Sequence, residues 1–441
     1  MFVIFFAKNK IMTRKIIFSM LFSFWVMFVK AQFTISGQYM NRAELRNGFQ
    51  TLKTNSSKPS FFVSQRSRLT GSYAEKKWKM VMTVQDIRTW GNTSHLAIDN
   101  SGNLSVHEAY AELILSKKSS LKMGRQELAY DEHRILGSLD WAMQARRHDV
   151  ALYKYKDSSF TFHVGAAFNQ DRELNNGTIY TVPNNYKALQ FLWLMKSWKN
   201  TDLSFLLLNN GIQYPYLISG VTNYKTVYSQ TFGARLTSTK NKTSFNSSFY
   251  LQTGKDATNK TLSAYNAIAE ITQKTSKKYS LTLGGEILSG TNQINSPTNN
   301  KSFTPLYGTN HRFNGYMDYF FVNNHANSVG LQDYYFKVLL QEKKYLLSLN
   351  THFFYSHGSI RNPLIITPTA MNKRLGTEID LTAAFNIAEG VTIQSGYSQM
   401  FGTETMAVLK NGNHKLTNNW LYTMVIIRPK TTAFPKVGLK F

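Results

Sequence analysis

The feature that most limits this chain is a two-residue rhythm. In "FTISGQYMNR" (33–42), Phe33, Ile35, Gly37 and Tyr39 share one face, and Thr34, Ser36, Gln38 and Arg42 the other. "FFVSQRSRLTGSY" (61–73) sets Val63, Leu69 and Tyr73 against Ser64, Arg66, Arg68 and Thr70. "GVTIQSGYSQ" (390–399) repeats the pattern near the other end. A period of two places successive side chains on opposite faces of a β-strand, and helical spacing of apolar residues is sustained nowhere. About eighteen such segments follow one another, the first at 33–42 and the last at 419–428.

The connections alternate in length. Short polar turns ("EKK" 75–77, "KKSS" 117–120, "WKN" 198–200, "AEG" 388–390) follow the even-numbered segments. Longer Asn-, Gly- and Ser-rich stretches follow most of the odd ones, the longest near 291–326. Antiparallel strands that cross an outer membrane have two unlike ends, with short periplasmic turns and long extracellular loops. Each crossing needs about 9–11 residues, and a sheet in hydrocarbon must close. A soluble sandwich or propeller would also alternate, but gives no reason for the short–long rhythm, and no repeat of blade length is present. The expectation is an all-β transmembrane antiparallel barrel of about 18 strands. Trp78, Trp90, Trp193, Trp198, Tyr355, Phe401 and Trp420 stand at segment ends, as interfacial girdles require, and the chain ends "KVGLKF" with an aromatic residue.

The N-terminal segment reads as an export leader. From Met12, "MTRKIIFSMLFSFWVMFVKAQ" carries a basic pair, an apolar run and a small residue at Ala31. Residues 1–31 are therefore expected to be a signal peptide, with the true start at Met12, and 32–441 the barrel. The chain has no cysteine, which excludes disulfides, thiolate metal sites, cysteine nucleophiles and a lipidated N-terminal Cys. The net charge of +26 raises the question of nucleic acid, but export argues against that partner. Many of the lysines also sit in the short turns, where they are solvated.

Parity assigns the remaining charges. If Tyr39 and Leu69 face lipid, then Arg42, Glu44, Arg46, Arg66 and Arg68 project inward. Glu108, Tyr110 and Glu112 turn to the lumen against Ala109, Ala111 and Leu113. The same reasoning turns Arg147 and Asp149 inward against Val150 and Leu152, and gives Arg235, Glu286, Glu378 and Asp380 lumenal parity. A lipid-facing Arg or Lys costs about 2–4 kcal/mol at the midplane. Two places break the rule: Arg125 shares parity with Leu121 and Met123, and "VQDIR" (84–88) loses its alternation at Asp86; a β-bulge would re-aim such side chains, but the sequence does not place one. Inward charges can equally be structural ladders, because a buried charge needs a partner.

Catalytic patterns are lacking. The histidines show no metal spacing, and no G-x-S-x-G occurs. Glu108 and Glu112 mimic a glycosidase pair, but pore-lining carboxylates account for them better. No cofactor motif is present, so no enzyme activity and no cofactor are expected.

"GRQELAYDEHRILGSLDWAMQARRHD" (124–149), together with "QRSRLTGSY" (65–73) and "VQDIRTWG" (84–91), resembles the alginate-export family of outer-membrane barrels. The resemblance implies an eighteen-stranded, monomeric barrel whose arginine-rich constriction passes a polyuronate passively. It implies a constriction role for Arg66, Arg68 and Arg125, and further for Arg134, Arg147 and Asp149. Residues 124–149 then read as a strand, an inward-folding loop and the next strand. The expected function is an outer-membrane channel for anionic solutes, of the acidic oligo- or polysaccharide kind. Its pore-lining set would be Arg42, Arg66, Arg68, Glu108, Glu112, Arg125, Arg134, Arg147, Asp149 and Arg235. The competing reading is a structural or adhesive barrel that binds partners through its outer loops.

Overall fold

A computed structural model describes residues 33–96, 102–294, 298–309, 311–320 and 328–434; the leader and the terminal "KVGLKF" aromatic lie outside them. The first strands are β1 (Phe33–Asn47), β2 (Ser60–Ala74), β3 (Trp78–Thr89), β4 (Leu104–Ile114), β5 (Ser119–Gln126) and β6 (His148–Lys156). There follow β7 (Phe160–Phe168), β8 (Ala188–Trp198), β9 (Thr201–Ile218), β10 (Val221–Lys240), β11 (Thr243–Lys255) and β12 (Thr261–Lys274). The last are β13 (Tyr279–Leu288), β14 (Leu331–Gln341), β15 (Tyr345–Tyr355), β16 (Arg374–Ala388), β17 (Val391–Gly402), β18 (Asn418–Ile427) and the short β19 (Thr432–Phe434). Each strand from β1 to β18 pairs antiparallel with the next. β18 then returns to β1 in a register running from Tyr39↔Ile427 to Asn47↔Asn419. The sheet is thus a closed barrel of eighteen strands, and β19 only extends the seam against Phe33–Ile35. No helix among the described residues is long and apolar enough to cross a membrane; the strands do the crossing.

All eight short turns expected from the sequence lie at one end, at 75–77, 115–118, 157–159, 199–200, 241–242, 275–278, 342–344 and 389–390. The longer connections lie at the other. The outer face is apolar for the expected reason: Leu69, Met80, Met82, Phe205, Leu207 and Phe249 are exposed while their sequence neighbours are not. Trp90, Trp198 and Phe401 stand exposed at strand ends, as girdle residues should. Trp193 and Trp420 instead turn inward and are buried.

Three further expectations need correction. The segments at 201–210 and 226–238 are parts of two strands, β9 and β10, of 18 and 20 residues. They are joined at 219–220 with no long loop; the alternation is lost at the tip, where Tyr216, Leu217 and Ile218 run consecutively and Leu217, Ile218 and Val221 are exposed. Secondly, the described part of the long stretch near 291–326 folds inward and is not an outer loop. The loop between β13 and β14, residues 289–330 (L7), buries Phe303, Met317, Tyr319 and Phe320 inside the barrel. Loop 127–147 (L3) folds inward as expected.

Thirdly, the parity of β6 is reversed. Val150 and Leu152 are buried and belong to one apolar cluster with Leu128 and Tyr130 of L3 and with Phe191, Trp193, Leu206 and Leu208 of the wall. They face the lumen, so Asp149 faces outward, on the same side as Ala151. Its ladder partner is Arg125, and the two side chains bond at 2.8 Å. The lumen beside L3 is apolar because the loop itself is, and alternation loses its sign when both faces of a wall are apolar. The bulge that the sequence did not place lies on β4, where His107 has no partner between Thr83↔Glu108 and Val84↔Val106. Asp86 keeps its outward parity and pairs with Arg88 at 2.5 Å.

The two ends of the barrel can be told apart in intact cells. A protease site inserted between Leu364 and Ile366, both highly exposed at the long-loop end, should be cut by protease added outside. One inserted at Lys118, in a short turn, should be cut only after the outer membrane is opened. The opposite result would invert the barrel.

Candidate pore and its constriction

An eighteen-stranded barrel is too wide for its own side chains to fill, and barrels of this size leave a lumen. Here L3 and L7 enter that lumen and meet. Gly137 N–H donates to Tyr307 O at 3.0 Å, Tyr307 N–H to Ile135 O at 3.0 Å, and Thr309 N–H to His133 O at 2.8 Å. The two loops therefore pair side by side like short parallel strands. Glycine is required at both crossing points: a Cβ on Gly308 would lie 2.0 Å from Arg134 O, and one on Gly137 would lie 2.5 Å from Thr309 Oγ1.

Arginines of the wall fasten L3 in place. Arg66 has no exposed surface. Its guanidinium donates to the carbonyls of Asp140, Ala142 and Met143 at 3.2–3.3 Å, to Asp140 Oδ1 at 2.8 Å and to Gln38 Oε1 at 2.8 Å. Arg68 reaches Asp140 Oδ1 at 3.3 Å and Gln85 at 2.8 Å. Arg42 donates to Trp141 O at 2.8 Å and to Glu44 at 2.8 Å, and its guanidinium lies 4.2 Å from the Trp141 ring centre. Arg235 of β10 pairs with Glu132 of L3. Arg134, buried, binds Glu286 of β13 at 2.5–2.6 Å and Asn314 of L7 at 2.9 Å, so it locks both loops to the wall.

The sequence-derived set is thus divided. Arg42, Arg66, Arg68, Glu108, Glu112 and Arg235 do face inward, but Arg66 and Arg134 are covered struts with no surface for a solute. Arg125 and Asp149 leave the set, since they pair on the outer face. Glu112 is held by Lys154 at 2.5 Å and Ser120 at 2.7 Å, and Glu108 accepts from Glu127 N–H at 3.3 Å. His148 is buried against Tyr186 Oη at 3.0 Å. Arg147 is half-buried and makes no ion pair among the described residues.

Among the described residues a cavity lies on each side of the loops. The one toward the long-loop end measures about 790 Å³ and carries Arg42, Arg46, Arg88 and Arg146 against Glu44 and Asp318. The one toward the short turns measures about 760 Å³ and carries Glu132, Glu270, Glu286 and Asp333 against Arg235, Arg312 and Lys337. In the first, single carboxylates serve pairs of arginines: Glu44 binds both Arg42 and Arg46 at 2.8–2.9 Å, as Asp140 binds Arg66 and Arg68. Arg146 has only a backbone carbonyl, Gly308 O at 2.8 Å. Burial pushes its guanidinium down to about 10, which leaves it charged at neutral pH. Arg88 is matched by Asp86. Arg46 was read as inward-facing but left out of the pore-lining set, and Arg146 was missed although "RRHD" offered it; Trp141 and His311, which line both cavities, gave no sequence signal as a pair.

The model of the alginate-export family matches residues 31–407. The chain belongs to the alginate-export family. No curated protein matches it, but solved outer-membrane channels share its fold. The outer membrane protein OpdK of Pseudomonas aeruginosa is 9% identical, aligned over 91% of this chain and 99% of its own, with a TM-score of 0.58. OccAB4 of Acinetobacter baumannii is 11% identical over 91% and 99%, with a TM-score of 0.59. OpdK with vanillate is similar at 9% identity over 90% and 99%, with a TM-score of 0.57. Family and fold together place this alginate-export protein in the outer membrane as a channel.

The strut role of Arg66 can be measured. Arg66→Ala leaves Asp140 with Arg68 alone and removes the guanidinium from the carbonyls of Asp140, Ala142 and Met143, a loss of about 1.5–3 kcal/mol for hydrogen bonds to a charged group. The barrel should still show heat-modifiable migration, while L3 becomes open to nicking by trypsin. Arg66→Lys should recover part of the protection, since it restores charge without the planar fork. Unchanged protease resistance in Arg66→Ala would show that L3 is held elsewhere.

Proposed function

We propose that the protein is a passive outer-membrane channel selective for anionic solutes, of the acidic oligo- or polysaccharide class. The observation that carries this reading is the shared carboxylate at the long-loop end. Glu44 and Asp140 each answer two arginines, and Arg146 answers to none, so fixed positive charge remains beside the cavity. In a narrow path with low-dielectric walls such a surplus raises the local concentration of anions. The arginines are held rigidly, so a passing carboxylate meets donors already oriented. The cavity toward the short turns has no such surplus, which favours release. OpdK has been solved with vanillate, a carboxylate, and its similarity in fold is consistent with this class of solute. Family membership supports a uronate-bearing polymer in particular. No catalytic step is part of the proposal: Glu108 and Glu112, the one glycosidase-like pair, are both engaged by the protein.

Reversal potentials of the refolded barrel across a potassium chloride gradient test the reading. Chloride should be preferred over potassium, and Arg46→Gln should lower that preference roughly two- to threefold, as expected for one fixed charge in a focusing pore. The difference should shrink in 1 M salt, where the Debye length is about 3 Å. Preference for potassium would overturn the proposal.

A further inference from the structure

The two cavities have two residues in common, Trp141 from L3 and His311 from L7. Their rings lie 4.0 Å apart at 11°, a face-to-face stack at the boundary between the two halves of the lumen. The stack joins unlike partners. Trp141 is the fixed leaf, because Arg66 holds the carbonyls on both sides of it and Arg42 holds its own. Arg42 lies 4.2 Å from the centre of the same ring. Two groups about 4 Å from one ring centre cannot share a face, so the indole is sandwiched between guanidinium and imidazole. His311 is the movable leaf. Its ring makes one polar contact, Nδ1 to Asp318 Oδ1 at 3.0 Å, and otherwise only ring contacts, with Tyr316 at 5.2 Å and Trp420 at 5.4 Å. No hydrogen bond joins His311 to Trp141, and a stacked pair of this kind favours contact by only roughly two- to tenfold.

We propose that the Trp141–His311 stack is the gate of the channel, and that a solute bearing a ring and a carboxylate crosses by taking the place of the imidazole on the Trp141 face. This rests on the anion-channel reading, since the gate lies beyond the arginine-rich cavity. The solute's ring exchanges one stacked contact for another. Its carboxylate stays in the arginine-rich cavity, where the charge of Arg46 is already partly balanced by Glu44 and so does not trap it. A carboxylate without a ring has nothing to offer the indole. The gate therefore selects by shape, a property that fixed charge alone does not confer. The required chemistry is shared by a pyranose uronate and an aromatic acid.

Single-channel recording separates these. Chloride current through the refolded full-length protein is measured with galacturonate, benzoate or acetate added in turn. In the wild type, galacturonate or benzoate should interrupt the current with dwell times at least about fivefold longer than acetate, and the longer of the two identifies the kind of ring preferred. His311→Ala and Trp141→Ala should both raise the chloride conductance about two- to fivefold. Their effects on dwell time should have opposite signs: His311→Ala frees the indole and lengthens the ring-dependent dwell, whereas Trp141→Ala reduces it to that of acetate. Trp141→Phe should be intermediate, and covers the case in which Trp141→Ala does not assemble. Equal dwell times for all three acids in the wild type, or an unchanged conductance in His311→Ala, would overturn the gate. Reversal potentials from the same membranes report anion preference independently, so the gate can fail while the anion-channel reading stands.

Discussion

β1 and β18 must meet because an open sheet edge cannot lie in hydrocarbon, where every unpaired N–H or C=O costs several kcal/mol. Closure over eighteen strands fixes the width of the barrel, and that width leaves more room than wall side chains can fill. L3 and L7 occupy the excess. A loop brought into a lumen carries its own backbone polar groups, which must be paired there as they would be in any interior. The parallel contact between the loops pairs some of them, and Arg66 pairs three more. The arginines of β1 and β2 thus follow from the closure of the sheet by a short chain of causes: a wide barrel needs inserted loops, and inserted loops need donors.

Much of this was written in the sequence. The alternation and the short polar turns identified the barrel, its strand number and its two ends, because they depend only on local geometry and on water at the turns. The inward arginines of "QRSRL" were legible for the same reason, with Leu69 fixing the outer face. What those arginines touch was not legible. Arg66 and Asp140 are 74 residues apart, and no pattern of period two connects them. Parity failed at Asp149 because the neighbouring lumen is apolar, so Val150 and Leu152 point to buried protein and not to lipid. The bulge at His107 could not be placed from the sequence, since a ladder break disturbs the alternation of either partner. L7 looked like an outer loop because its length and Asn content were visible, whereas the burial of Phe303, Met317 and Tyr319 depends on the hollow that the other strands create.

The same arrangement reconciles two demands on a pore. Rigid donors are needed for a solute to be recognised, and weak net binding for it to leave. Here rigidity comes from carboxylates that also reduce the positive field, and each is divided between two guanidiniums. Full neutralisation would leave nothing for an anion, and isolated arginines would hold it too firmly.

The wall is not of even height. β5, β6 and β7 have 8, 9 and 9 residues, while β9 and β10 have 18 and 20. At about 3.3 Å per residue and a tilt near 40°, eight residues rise about 20 Å, less than the roughly 25 Å apolar band of outer-membrane barrels. Lipid beside β5 and β6 must thin or draw its headgroups down to meet the protein. The Arg125–Asp149 pair stands on this low stretch, at the loop end of both strands. A charged pair on the outer wall is therefore bathed by headgroups, and the barrel presses a dent into the bilayer along one side.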